Sequence, residues 1–194
     1  GVQDHWAAAY GGVNLLQVAY PAVERSAIGL GATVLEHLDS RLHTVWFGQP
    51  HASSALHEEV IARLETVGAP IALEQMRTAA ATAAQALRHG DLAGYGAALT
   101  ANHEAIRLLH AGLISTDSDE LTALATAHGA RGWKVNGAGG SGGSMVVLGP
   151  DDPVADEALR RAIDARPGWG RIVAPIARVG AVARRVGVHE ASGR

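Results

Sequence analysis

Between Lys134 and Leu148 the chain reads Lys-Val-Asn-Gly-Ala-Gly-Gly-Ser-Gly-Gly-Ser-Met-Val-Val-Leu, and five of the seven residues from 137 to 143 are glycine. Glycine loses more conformational freedom on folding than any other residue, so a dense run persists only where left-handed backbone or a close approach demands it. An ordinary hairpin turn needs one or two glycines. Short extended runs flank this one, Gly132 to Val135 before it and Ser144 to Leu148 after it, the second closed by Gly149-Pro150. The pattern predicts two neighbouring strands joined by a loop with a task. Read as G-x-G-x-x-G from Gly137 to Gly142, the loop would be a dinucleotide fingerprint. Read as G-x-S-x-G around Ser141, it would be a nucleophile elbow. Both motifs must open a helix. Met145 to Leu148 is a strand-type run, so both fail on context.

Most of the chain before this loop has helical spacing. Ser53-Ser54 offers an N-cap to a helix with Leu56, Val60, Ile61, Leu64 and Val67 at helical intervals, ending at Gly68. Pro70 opens a second, carrying Leu73, Met76, Ala80, Ala83, Ala84 and Leu87 as far as His89-Gly90. Asp91 caps a third, striped by Leu92, Tyr95, Leu99, Ile106 and Leu109, and Ser115 or Thr116 caps a fourth that ends at Gly129. Pro153 to Ala165 is a further helix. Strands are expected at Val13–Ala19, at Leu42–Phe47 and within Arg171–Val182, and a short helix before Gly11-Gly12; Ser26–Leu38 is ambiguous. Helices with a few strands predict an α+β fold with helices on one face of a mainly antiparallel sheet.

Charge and composition narrow the function. The net charge is -3 and the only adjacent basic pairs are Arg160/Arg161 and Arg184/Arg185, so neither nucleic acid nor a lipid surface is an expected partner. There is no cysteine, which excludes disulfides, thiolate nucleophiles and Cys-ligated zinc. No apolar run approaches the ~18 residues of a membrane span, and a cytoplasmic protein is the expectation. The ten histidines form no H-E-x-x-H and no compact ligand set, so surface histidines and no metal site within this chain are expected. The chain starts at Gly1 and its only methionines are Met76 and Met145, which leads to the expectation of a missing upstream segment.

The segment Lys134-Val135-Asn136-Gly137-Ala138-Gly139-Gly140-Ser141-Gly142-Gly143-Ser144 resembles the third motif of the GHMP kinases, the family of galactokinase, homoserine, mevalonate and phosphomevalonate kinases. Bare amides in such a loop can close on phosphate oxygens or support the loop that does. Ser141 adds a residue to the family's commonest spelling. Asn102-His103-Glu104, then Ile114-Ser115-Thr116 and Leu121 to Ala125, resemble the helix, turn and helix before that motif. Gly1-Val2-Gln3-Asp4-His5 and the following Ala-Ala-Tyr-Gly-Gly resemble the segment with the family's catalytic aspartate, in the style of its heptose-7-phosphate and fucose-type kinases. Phe47-Gly48 followed by Ser53-Ser54 is similar to the same enzymes. The resemblance is specific at residues 1–12 and 134–144 and weak at 21–42 and after 150.

This resemblance implies a ferredoxin-like C-terminal domain over residues 42–194, preceded by a remnant of the N-terminal domain over 1–41. It implies an ATP- and Mg2+-dependent kinase acting on a sugar or sugar-phosphate hydroxyl, with Asp4 as the catalytic acceptor of the hydroxyl proton. Gln3, His5, Ser53 and Ser54 would contact substrate, and Gly137, Ala138, Gly139, Gly140, Ser141, Gly142 and Gly143 would form the phosphate loop. His5 stands where the family usually has glutamine. The family's P-x-x-x-G-L-G-S-S loop lies before the aspartate and so outside this chain; Gly29-Leu30-Gly31 echoes it but follows Asp4 and lacks the serines. Magnesium ligands are expected in that upstream region, and the chain alone is expected to be inactive. The resemblance also admits a homodimer. The reading from another class is a non-catalytic binding module of the same fold. Lys134, at the start of a strand, is expected to be a solvated edge residue.

Overall fold

The computed structural model describes residues 2–50, 53–137 and 139–182, with residues 53–55 described by backbone alone. They fall into two compact units, one from the N-terminus to Ala27 together with residues from Ile176 onward, the other from Ile28 to Pro175. The division at 41/42 implied by the resemblance concerns domain ancestry and does not coincide with these units.

The first unit begins with helix α1 (Val2–Tyr10) and continues into strands β1 (Val13–Ala19) and β2 (Ala22–Ile28), which pair in a two-stranded sheet. α1 buries none of its residues. It is held by local contacts. Trp6 and Tyr10, one turn apart, stack at 5.2 Å, and the Arg25 guanidinium lies 4.2 Å from the Tyr10 ring centroid. The segment after Ile176 runs beside the C-terminal end of α1, where Ala181 N–H donates to Ala8 O at 2.8 Å and Gly12 N–H to Ala177 O at 2.6 Å.

The second unit contains α2 (Ala32–Arg41), β3 (Leu42–Trp46), α3 (Ser53–Thr66), α4 (Pro70–Arg88), α5 (Leu92–Leu109), a 3-10 turn (Ala111–Leu113), α6 (Thr116–Ala127), β4 (Gly132–Val135), β5 (Ser144–Leu148), α7 (Pro153–Asp164) and β6 (Gly170–Ile172). The four strands lie in the order β4-β5-β3-β6 and every pair is antiparallel. With helices between β3 and β4 and again between β5 and β6, this is the ferredoxin-like β-α-β-β-α-β arrangement. Val45, Phe47, Val135, Met145 and Val147 project from one face onto Ile106, Leu109, Leu121, Leu159 and Ile163 of α5, α6 and α7. The period of two in β3 and β5 puts alternate residues on that face. N-caps open two helices where the sequence places them, with Asp91 accepting from Gly94 N–H and Ser115 from Ser118 N–H; Asp152 opens α7 in the same way, accepting from Ala155 N–H. Among the described residues no helix is long and apolar enough to cross a membrane.

Four local expectations are corrected. The ambiguous stretch 26–38 divides between β2 and α2 at Gly29-Leu30-Gly31. On α4 the buried positions are Ala72, Ala79, Ala84, Ala86 and Leu87, so Ala84 and Leu87 of the expected stripe are buried, whereas Leu73 and Ala80 are exposed. Small side chains on this stripe let α4 lie close against α5, and they outrank larger ones that would hold the helices apart. The histidines are not all at the surface, because His43 and His103 are buried. Lys134 is half-buried rather than solvated; its ammonium donates to Val135 O at 2.9 Å, and burial pulls it below the usual lysine range.

Candidate active site

The glycine loop is a tethered structure. Gly137, Gly139, Gly140, Gly142 and Gly143 all have positive φ, from 60 to 88°, a region that side chains with a Cβ seldom adopt. Gly140 N–H donates to Leu113 O at 2.8 Å, which ties the loop to the 3-10 turn after α5. Gly143 N–H donates to Gln49 O at 3.0 Å, and Phe47 N–H to Gly143 O at 2.9 Å, which ties it to the end of β3 and the connection towards α3. At its base Asn136 N–H donates to Ser144 O at 2.9 Å, and the Asn136 amide to Ser144 Oγ at 3.1 Å. With Gly139 N–H donating to Asn136 O at 3.4 Å, three of the bare amides are therefore spent inside the fold. Gly139 and Gly140 are buried, while Gly137 and Ser141 form an exposed rim.

Gly137 and Gly139 separate the two uses of glycine here. A Cβ on Gly137 meets nothing within 4 Å, whereas one on Gly139 would overlap the Leu113 carbonyl oxygen. Both sites carry the left-handed cost of roughly 1–2 kcal/mol for alanine. Gly139→Ala adds overpacking of ~1–3 kcal/mol. Urea denaturation should therefore show Gly139→Ala losing about 2–5 kcal/mol and Gly137→Ala no more than ~2 kcal/mol. Equal losses at the two positions would contradict the tethered geometry.

Gln3, Asp4 and His5 occupy the first turn of α1 and are exposed. They stand on the first unit; the loop belongs to the second. Ser53 and Ser54 open α3, just beyond the Gln49-Pro50 connection that meets the loop, but their side chains lie outside the described residues, as does Ala138. Within the second unit the structure brings together the loop, the 3-10 turn and the route into α3. Sequence reasoning missed Leu113, Gln49 and His110 as participants. The only available signal was Gly112, which punctuates the helix end two residues after His110.

Near the loop-side strand β4, His103 of α5 is fully buried, and its Nδ1 has no hydrogen-bond partner among the described residues. Burial holds its imidazole below the usual range against the opposing pull of Glu104. Arg107, one turn on, donates to Asp119 at 2.6 Å and fastens α5 to α6. A separate cavity of about 950 Å³ lies beside the first residues of β3, lined by Arg41, His43, Asp156, Arg160 and Arg171 among others. The loop joins the sheet at the other end, where Trp46 pairs with Ser144. Among the described residues no three His, Cys, Asp or Glu side chains are grouped to hold a metal ion.

A ferredoxin-like α+β domain with a buttressed glycine loop between its two middle strands in sequence is the class this geometry defines. Residues 83–166 match the family model described as GHMP kinases C terminal. Residues 83–166 are thus similar to the C-terminal domain of the GHMP kinases. No sequence among curated proteins matches it. Solved structures with this fold include mevalonate kinase from L. major in complex with R-mevalonate, 22% identical with a TM-score of 0.67 over 87% of this chain and 50% of that one. A D-glycero-D-manno-heptose 1-phosphate kinase from Bacteroides thetaiotaomicron is 19% identical, with a TM-score of 0.64 over 97% of this chain and 50% of that one. Homoserine kinase from Cytophaga hutchinsonii is 16% identical, with a TM-score of 0.57 over 90% and 51%. The chain thus spans about half the length of the solved structures it matches.

Proposed function

We propose that the protein to which this chain belongs is an ATP-dependent small-molecule kinase acting on a hydroxyl of a sugar or sugar phosphate, in the manner of a heptose-7-phosphate 1-kinase. The observation that carries this reading is the glycine loop, set between antiparallel strands inside the stretch that matches the kinase family. The sugar assignment rests on the Gln3-Asp4-His5 segment and the continuation through Gly12. In this reading residues 1–41 derive from the N-terminal domain and 42–194 form the C-terminal domain.

Phosphoryl transfer asks the protein mainly for positioning and charge stabilisation. The acceptor hydroxyl oxygen bonds to the γ-phosphorus of ATP, the bridging P–O bond breaks, and its electron pair leaves with ADP. The hydroxyl proton needs a destination, and Asp4 supplies it. A carboxylate is too weak a base to deprotonate an alcohol in the ground state, but it accepts the proton as the O–P bond forms. Gln3 and His5 flank it and contact the sugar, with Ser53 and Ser54 as further contacts. The exposed rim at Gly137 and Ser141 fits a phosphate approach, while Gly140 and Gly143 hold the loop in shape. Magnesium, when bound, neutralises charge on the β- and γ-phosphates. In this reading its ligands come with the P-x-x-x-G-L-G-S-S loop.

The whole protein should transfer phosphate from magnesium-ATP to at least one member of a panel of hexoses and heptose phosphates, followed by ADP release. The 194-residue chain alone should not turn over, and calorimetric titration should show no micromolar binding of magnesium-ATP. A whole protein without the upstream loop and without turnover would favour a non-catalytic binding module. Micromolar affinity in the chain alone would place the nucleotide site wrongly.

A further inference from the structure

We propose that His110 is a positioning residue for the glycine loop, holding it through the 3-10 turn; this rests on the kinase reading for its effect on ATP. His110 ends α5 with extended backbone, φ -161° and ψ 123°, and starts the turn Ala111–Leu113. Its Nδ1 accepts from Gly112 N–H at 3.2 Å, and its carbonyl accepts from Leu113 N–H at 3.1 Å. The Leu113 carbonyl, aimed outward by that turn, accepts the Gly140 N–H at 2.8 Å. Glycine at 139 lets the same oxygen sit against the loop backbone. One imidazole nitrogen is thus two hydrogen bonds from a loop amide. Leu56 of α3 reinforces the junction, lying 3.2 Å from the Cβ position of Gly112 and 3.0 Å from that of Gly140.

The geometry requires an acceptor at the δ1 position. A neutral imidazole with its proton on Nε2 provides one. Asparagine places a carbonyl oxygen at the same distance along the side chain and accepts from the amide two residues on in the same way. Alanine provides none, which frees the turn, and with it the Leu113 carbonyl, to move.

The test uses the whole protein and compares His110→Ala, His110→Asn and wild type. Hydrogen exchange at the amides of residues 139–143 should speed up in His110→Ala and return towards wild type in His110→Asn. In ATP saturation kinetics, His110→Ala should raise KM for ATP about fivefold, the equivalent of one capping hydrogen bond. The KM for the sugar acceptor should stay unchanged, and His110→Asn should restore the ATP value. A role in stability alone would lower the thermal midpoint without this split. Should the alanine variant not fold, His110→Gln, whose acceptor sits one methylene too far, takes its place against His110→Asn. Unchanged loop exchange in the variant lacking the acceptor overturns the proposal, whether or not the protein phosphorylates sugars. Absence of phosphotransfer in wild type, with loop exchange responding as expected, overturns the kinase reading and leaves His110 in its place.

Discussion

In the whole protein, Asp4→Asn should lower turnover by ~10²–10⁴, the usual contribution of a positioned general base. Asparagine retains the size of the side chain and much of its hydrogen bonding, and removes only the charge that takes up the proton in the proposed mechanism. KM for ATP should change little, because the proposed mechanism holds the phosphates by other residues. Asp4 lies in the first turn of α1, where an acidic side chain also favours the positive end of the helix dipole. That second role is small and shared with the neutral amide as a hydrogen-bonding group, so the thermal midpoint should remain near wild type. Steady-state kinetics with the preferred sugar, run beside a thermal melt, separate the two roles. Wild-type turnover in Asp4→Asn would remove Asp4 from the chemistry and reduce it to a residue that supports the helix end.

The parts of the fold legible in the sequence are those set by local chemistry. The caps at Asp91 and Ser115, the strand-type runs at Leu42 and Ser144, and the glycine run between strands each depend on residues within a few positions of one another. Residues 26–38 were ambiguous for an opposite reason. β2 belongs to a two-stranded sheet with most of its residues exposed, so no burial pattern marks it. β6 is only three residues long, and pairing with β3 defines it more than its own composition does. The anchors of the glycine loop were illegible because backbone carbonyls carry no sequence signature. Leu113 and Gln49 act through main-chain oxygens, and which carbonyl meets which amide is decided by how α5, β3 and the loop pack. The positive φ of the glycines was inferable; what the loop leans on was not.

Buried histidines escaped for a related reason: a partner far along the chain decides whether a polar side chain can leave water. His43 on β3 and Asp156 on α7 are 113 residues apart, yet Nε2 and Oδ1 lie 2.7 Å from one another with both side chains buried. Gly149 packs so closely beside Asp156 Oδ1 and His43 Nε2 that the pair is walled by backbone. Arg160 approaches the second carboxylate oxygen at 3.3 Å but is itself part-exposed and also pairs with Glu157 at 2.8 Å. Asp156→Ala strands a buried imidazole nitrogen and should cost about 3 kcal/mol. That lies between the ~1–3 of a buried orphan group and the ~3–5 of a broken buried ion pair. Replacing both members by leucine removes the orphan together with its partner, so the double variant should be more stable than Asp156→Ala, limited by the room beside Gly149. Urea denaturation of His43→Leu, Asp156→Leu and the double leucine variant gives the coupling free energy directly. The glycine loop joins the sheet at the opposite end of β3, so turnover should follow the folded fraction without a separate loss. A cost below ~1 kcal/mol for Asp156→Ala would mean that water reaches His43 once the carboxylate is gone, and that the pair is not what fastens α7 to β3.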